Sequence, residues 1–164
     1  MKTVSLVSRI CCFVCVALML AIIVFQFLPC WTVGEETVGM QEMIWTCQHH
    51  KDITKYWKKN VMKDFTMNSL VGEPIFALLT GVAGVVFCLI KNKKWTSAIF
   101  PLASGFFILR AMEHPVQQTG AHYGTFQILG IATVVVAAIC ILTGWLVSFL
   151  KFLAEMKAMK APKK

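Results

Sequence analysis

Four long apolar runs alternate with polar breaks along the chain, at residues 10–29, 70–90, 95–112 and 124–150. A helix crossing the hydrocarbon core of a bilayer needs about 20 predominantly apolar residues, since about 30 Å must be covered at about 1.5 Å per residue. The first run is interrupted only by Gln26, the second by Glu73, and the fourth carries no charge. The third is the weakest, with Pro101 and Arg110 inside it and Lys94 and Glu113 at its borders. The pattern predicts an all-α membrane protein, a four-transmembrane-helix bundle forming one domain over residues 1–164. A basic tail at 151–164 follows the last span. Pro74 is expected in the first turn of its helix, and Pro101 is expected to kink the third span.

Between the first and second runs lies a polar loop of about 40 residues, 31–69, too long to be a mere connector. In its first part, β-branched residues flank the pair Gly34-Glu35, which predicts a short β-hairpin over residues 31–38. In its second part, residues 52–68, a 100° period gathers Ile53, Tyr56, Trp57 and Val61 on one side and Lys55, Lys58, Lys59 and Lys63 on the other. That separation predicts an amphipathic helix lying in the membrane interface, although Asp64 falls on its apolar side.

Charge gives the bundle a direction. An even number of spans puts both termini and the turn Lys91-Asn92-Lys93-Lys94 on one face. There, ten basic residues oppose only Glu155, for a net +9, whereas the long loop sums to zero and Glu73, Arg110 and Glu113 add −1, in agreement with the chain's +8. The positive-inside rule makes the basic face cytoplasmic. The expected location is a plasma or bacterial cytoplasmic membrane, multi-pass, with both termini cytoplasmic. Because the basic residues sit beside spans, where anionic headgroups meet them, nucleic-acid binding is set aside. The first run exceeds the 7–15 residues of a signal-peptide core and lacks a small-x-small cleavage site, so it is read as a retained anchor.

With that orientation, the four histidines and two of the seven cysteines fall on the outer side. Cys30 and Cys47 flank the hairpin, and a disulfide between them would restrict the unfolded chain by about 3 kcal/mol. The other five, Cys11, Cys12, Cys15, Cys88 and Cys140, are read as small apolar fillers within spans. His49, His50, His114 and His122 offer imidazoles for zinc or copper, but their spacing follows no standard site. Ionisable residues in spans are costly and usually paired. A short connection makes the second and third spans antiparallel neighbours, which places Glu73 level with Arg110 as an intramembrane ion pair, Glu113 competing one turn away. Small residues, among them Gly84, Gly105, Gly130 and Gly144, mark close helix approaches.

Trp31 with Trp45-Thr46-Cys47 resembles part of the outer-loop signature of claudin-like tetraspans. That signature carries two cysteines after its second tryptophan, whereas here Cys30 precedes the first and Cys47 alone follows, so no family is assigned. The second outer loop has no cysteine pair for quinone-linked disulfide formation, and the spans hold no histidine for haem. No catalytic residue and no cofactor emerge. The expected function is that of a non-enzymatic accessory, scaffold or partner-binding subunit, associating with the bilayer and with another membrane protein or a second copy. The alternatives are a small transporter or channel component with Glu73 and Arg110 in its pathway, and a redox or metal-binding enzyme.

Overall fold

A computed structural model describes residues 2–45, 67–90, 95–113 and 117–160. The protein is mostly helical, with one small sheet. Helix α1 covers Lys2–Phe25, strands β1 and β2 cover Trp31–Val33 and Glu36–Val38, and a short helix α2 covers Met40–Trp45. Helix α3 covers Met67–Ile90, a 3-10 turn at Trp95–Ala98 leads into α4 at Ile99–Ala111, strand β3 covers Gln117–Gln118, and α5 covers Gly120–Lys160. Among the described residues, two helices are long and apolar enough to cross a membrane, α3 over Gly72–Ile90 and α5 over Gly120–Lys157. The remaining apolar helical stretches, Arg9–Phe25 and Trp95–Ala111, are shorter. Ile53, Tyr56, Trp57 and Val61 of the expected interfacial helix lie outside the described residues.

The long helices alternate in direction around two buried clusters. One cluster joins Ile22 of α1, Ala77 of α3, Ile108 and Ala111 of α4 and Phe126 of α5 to Cys30, Trp31, Val38 and Met40. The other, toward the opposite end, joins Cys12, Cys15 and Met19 to Cys88 and Ala137. Helix α1 packs on α3 and α5, and α4 packs on the same two from the other side. Glycines set the closeness of these contacts. A Cβ at Gly84 would meet Met19 Sδ, one at Gly105 would meet Val134 and the Gly130 carbonyl, and one at Gly144 would coincide with Trp95 Cβ and Cγ.

Helix boundaries differ from those read in hydropathy, and the two prolines exchange roles. Because α3 starts at Met67, Pro74 lies inside the helix, where its missing N–H leaves the Leu70 carbonyl without an i+4 partner. Because α4 starts at Ile99, Pro101 stands in the first turn, where no N–H is needed. The last helix does not stop at residue 150. It continues to Lys160, so that most of the expected 151–164 tail is helical.

The hairpin at residues 31–38 is present, with Trp31 opposite Val38 and Val33 opposite Glu36. Gly34 has φ 65° at the first central turn position, where a II′ turn requires glycine. A third strand joins it. Trp31 pairs with Gln118 and Thr32 with Gln117, giving an antiparallel sheet of order β2-β1-β3 that covers one end of the helices.

Candidate functional site

The sheet and α2 form a cap over the cluster that contains Trp31 and Phe126, and its chemistry is built from a few fully buried side chains. After α1, the N–H of Cys30 donates to the Val38 carbonyl at 3.0 Å and the N–H of Thr119 donates to the Cys30 carbonyl at 2.9 Å. Cys30 is thereby fixed where both strand pairings begin. Trp31 is fully buried, its bulk filling the space under the sheet. Among the described residues its indole Nε1 has no hydrogen-bond partner, and neither do Gln26 Nε2 and Thr119 Oγ1.

Helix α2 is tied down by a polar strap. Gln41, fully buried, donates through Nε2 to Gln26 Oε1 at 2.7 Å and to the Pro74 carbonyl at 3.1 Å, and its Oε1 accepts from Trp45 Nε1 at 3.0 Å. Its backbone N–H also donates to the Gln26 carbonyl at 3.1 Å. One residue thus joins the end of α1, the short helix and the start of α3. Gly39 precedes α2 with its N–H 3.3 Å from Glu42 Oε2, half of a capping box. A Cβ at Gly39 would stand 2.9 Å from the Phe27 carbonyl carbon, so only glycine allows the backbones to approach here. The spacing of Gly39 and Glu42 was the available sequence signal for α2. Nothing comparable marked Gln41.

The disulfide expected between Cys30 and Cys47 is not supported. Cys30 is a free thiol at 0% exposure, turned into the apolar cluster, and no described cysteine lies at disulfide distance from it. Cys47 lies outside the described residues. Burial pushes the Cys30 thiol from 9.0 up to about 12, outweighing the opposing hydrogen bond from the Met40 backbone. The folded state therefore holds this proton more tightly than the unfolded chain does. That contribution to stability is fully present below pH 9 and is lost as pH rises from 9 through 12. Two outcomes follow: Cys30 resists maleimide at neutral pH until the protein unfolds, and the wild type loses stability more steeply than Cys30→Ala in melts run across that alkaline window.

Glu73 and Arg110 are brought together at the same end. Arg110 Nε is 3.6 Å from Glu73 Oε1, while its Nη1 is 2.6 Å from Glu113 Oε2. The tighter contact is with Glu113, three residues along the chain. Arg110 is 49% exposed and Glu113 63%, so solvent screens this cluster. Glu73→Gln and Glu113→Gln should each shift unfolding by less than about 1 kcal/mol, measured in detergent melts. A larger loss would show that the cluster carries the register of α3 and α4.

Of the expected metal-binding histidines, His122 is exposed on α5, and His49, His50 and His114 lie outside the described residues. No group of three or more His, Cys, Asp or Glu among the described residues is arranged to hold a metal ion. A cavity of about 360 Å³ opens between α4 and α5, lined by Ile99, Leu102, Ala103, Phe106, Phe107 and Val134. Its wall is hydrocarbon, suited to an acyl chain and unsuited to an ion. No family model, curated protein or solved structure matches this chain.

Proposed function

We propose that this is a four-span integral membrane protein with a cytoplasmic basic face, acting without catalysis as an accessory or partner-binding subunit. It offers its helix faces and its outer cap to other membrane components in a plasma or bacterial cytoplasmic membrane. The arrangement of polarity supports the four-span reading. Large apolar side chains are exposed on all four long helices, among them Phe13 and Val24 on α1, Leu79 on α3, Phe106 on α4 and Ile128 and Leu142 on α5. The interior, in contrast, holds Gln26, Gln41, Ser104 and Thr133 fully buried. Water would penalise such an inside-out distribution, and lipid favours it. The two shorter apolar stretches expose apolar side chains just as α3 and α5 do, which argues for their lying in lipid as well.

The observation that carries the functional reading is the use made of the polar groups. Gln26 and Gln41 bond to each other, Ser104 Oγ donates to the Ala77 carbonyl at 2.9 Å, and Thr133 Oγ1 donates to the Leu129 carbonyl at 2.7 Å. Gln26, Gln41 and Ser104 bridge separate elements, Thr133 bonds back within its own helix, and among the described residues none converges on a cavity as a conduction path or a reaction would need. What remains available is surface, including Trp45 at 69% exposure on the cap. Crosslinking in native membranes followed by native mass spectrometry in mild detergent should retain a partner or a second copy. Recovery of a lone monomer under all gentle conditions would count against this function. Proteoliposome flux abolished by Glu73→Ala or Arg110→Ala would favour a transporter instead.

A further inference from the structure

The cavity between α4 and α5 has a direction as well as a volume. Its wall on α4 is made by Ile99, Leu102, Ala103, Phe106 and Phe107, which recur at i, i+3, i+4, i+7 and i+8 and so form one stripe along the helix. Eight residues of helix give that stripe a length of about 12 Å, and Val134 of α5 closes its far side. The cavity volume of about 360 Å³ holds about twelve groups the size of a water molecule, at about 30 Å³ each, and a methylene is of similar size. Every lining side chain is apolar, so an occupant gains nothing there from a hydrogen bond or a charge. A partner helix, about 10 Å across, would not enter a space of this volume, whereas a single hydrocarbon chain fills it.

Tryptophans give the groove a depth. Trp95 is seated on α5: its Nε1 donates to Ser148 Oγ at 3.3 Å, and a Cβ at Gly144 would coincide with its own Cβ. Beside that contact Trp145 is 55% exposed and stacks on Phe149. Tryptophans near the ends of spans mark the headgroup level. The stripe starts at Ile99, one turn inside that level, and its 12 Å covers most of the roughly 15 Å of hydrocarbon that one leaflet supplies. A charge stands on the other side of the same level. Lys151 follows Ser148 by three residues, which puts it on the face of α5 that meets Trp95. It is exposed, and among the described residues no carboxylate pairs with it. Its Cα lies about 10 Å beyond Gly144, while the interfacial layer is about 5–8 Å thick. Helical side chains tilt toward the N-terminus, so the Lys151 ammonium reaches back into that layer rather than away from it.

We propose that this groove seats one tail of an anionic phospholipid of the inner leaflet, whose phosphate pairs with Lys151. This rests on the four-span reading, since α4 must lie in lipid. The test is native mass spectrometry of the full chain, taken up in mild detergent from vesicles of equal phosphatidylglycerol and phosphatidylcholine. One phospholipid should stay bound per chain, phosphatidylglycerol about fivefold more often than phosphatidylcholine. Lys151→Gln should erase that preference, and Lys157→Gln, also exposed but farther along α5, should leave it intact. Ala103→Phe fills the groove and should abolish retention of both lipids. A melt in detergent checks that this variant is folded, and the exposed Lys151→Gln keeps the test decisive if it is not. Equal retention of the two lipids, a preference that survives Lys151→Gln, or retention that survives a folded Ala103→Phe would overturn the seat. A dimer that Ala103→Phe splits would overturn it too, because the groove would then hold a second copy. Carbonate extraction of the vesicles separates the two levels. A chain that stays in the bilayer but retains no phospholipid removes the seat alone, and a chain released by carbonate removes the four-span reading with it.

Discussion

Gly144→Ala should destabilise the protein, although alanine is the better helix former. A glycine-to-alanine change in an unhindered helix gains about 1 kcal/mol. At Gly144, however, the new Cβ would coincide with Trp95 Cβ and Cγ, atoms too close to the backbone to rotate away. Helix α5 or the 3-10 turn at Trp95–Ala98 must then move, and overpacking of this kind costs about 1–3 kcal/mol or more. The steric term wins, and Gly144→Val should be worse. Gly124 in the same helix has nothing within 4 Å of an added Cβ, so Gly124→Ala should be neutral or stabilising by up to about 1 kcal/mol. Thermal unfolding of both variants in one detergent compares them directly, and equal midpoints would mean that Trp95 is not seated against α5. The Trp95 to Ser148 hydrogen bond should be lost with the Gly144 variants.

The second large effect is expected at Gln41. Gln41→Ala removes the donors to Gln26 Oε1 and to the Pro74 carbonyl, and it leaves the buried Gln26 carboxamide, whose Nε2 already lacks a partner among the described residues, with neither end paired there. An orphaned buried polar group costs about 1–3 kcal/mol, and the cavity adds to it, for about 2–4 kcal/mol in all. Gln26→Leu combined with Gln41→Leu should recover most of that loss, because it leaves no buried carboxamide without its partner. A double-mutant cycle measures the coupling, and additive losses would dissolve the strap as a unit. Protease nicking of the cap should rise with the single alanine variant and fall again in the paired leucine variant.

How much of this was visible in the sequence depends on what each element is made of. The hairpin was legible because β-branched residues flank a Gly34-Glu35 turn, a local signal that needs no knowledge of the rest. Strand β3 was not. Gln117 and Gln118 carry no alternation, and they are a strand only because the backbone of β1 presents a free edge to them. Helix α2, at six residues, is too short to show a period. The Glu73 and Arg110 neighbourhood followed from a short connection between antiparallel helices, but the closer approach of Arg110 to Glu113 depends on side-chain reach, which spacing alone does not order. Hydropathy located the apolar runs and misplaced their ends. It sees composition, whereas a helix runs until capping or chain geometry stops it, which moved Pro74 inward and carried α5 past Leu150.

The pairing of Trp31 with Gln118 also imposes an order of events on synthesis. The central strand leaves the ribosome early, yet one of its two neighbours is encoded just ahead of the last helix. Until Gln117 has emerged, the hairpin carries an open edge and the Cys30 carbonyl lacks the Thr119 N–H. The cap therefore closes only when α5 arrives, so a nascent chain stalled after α4 presents a bare strand edge.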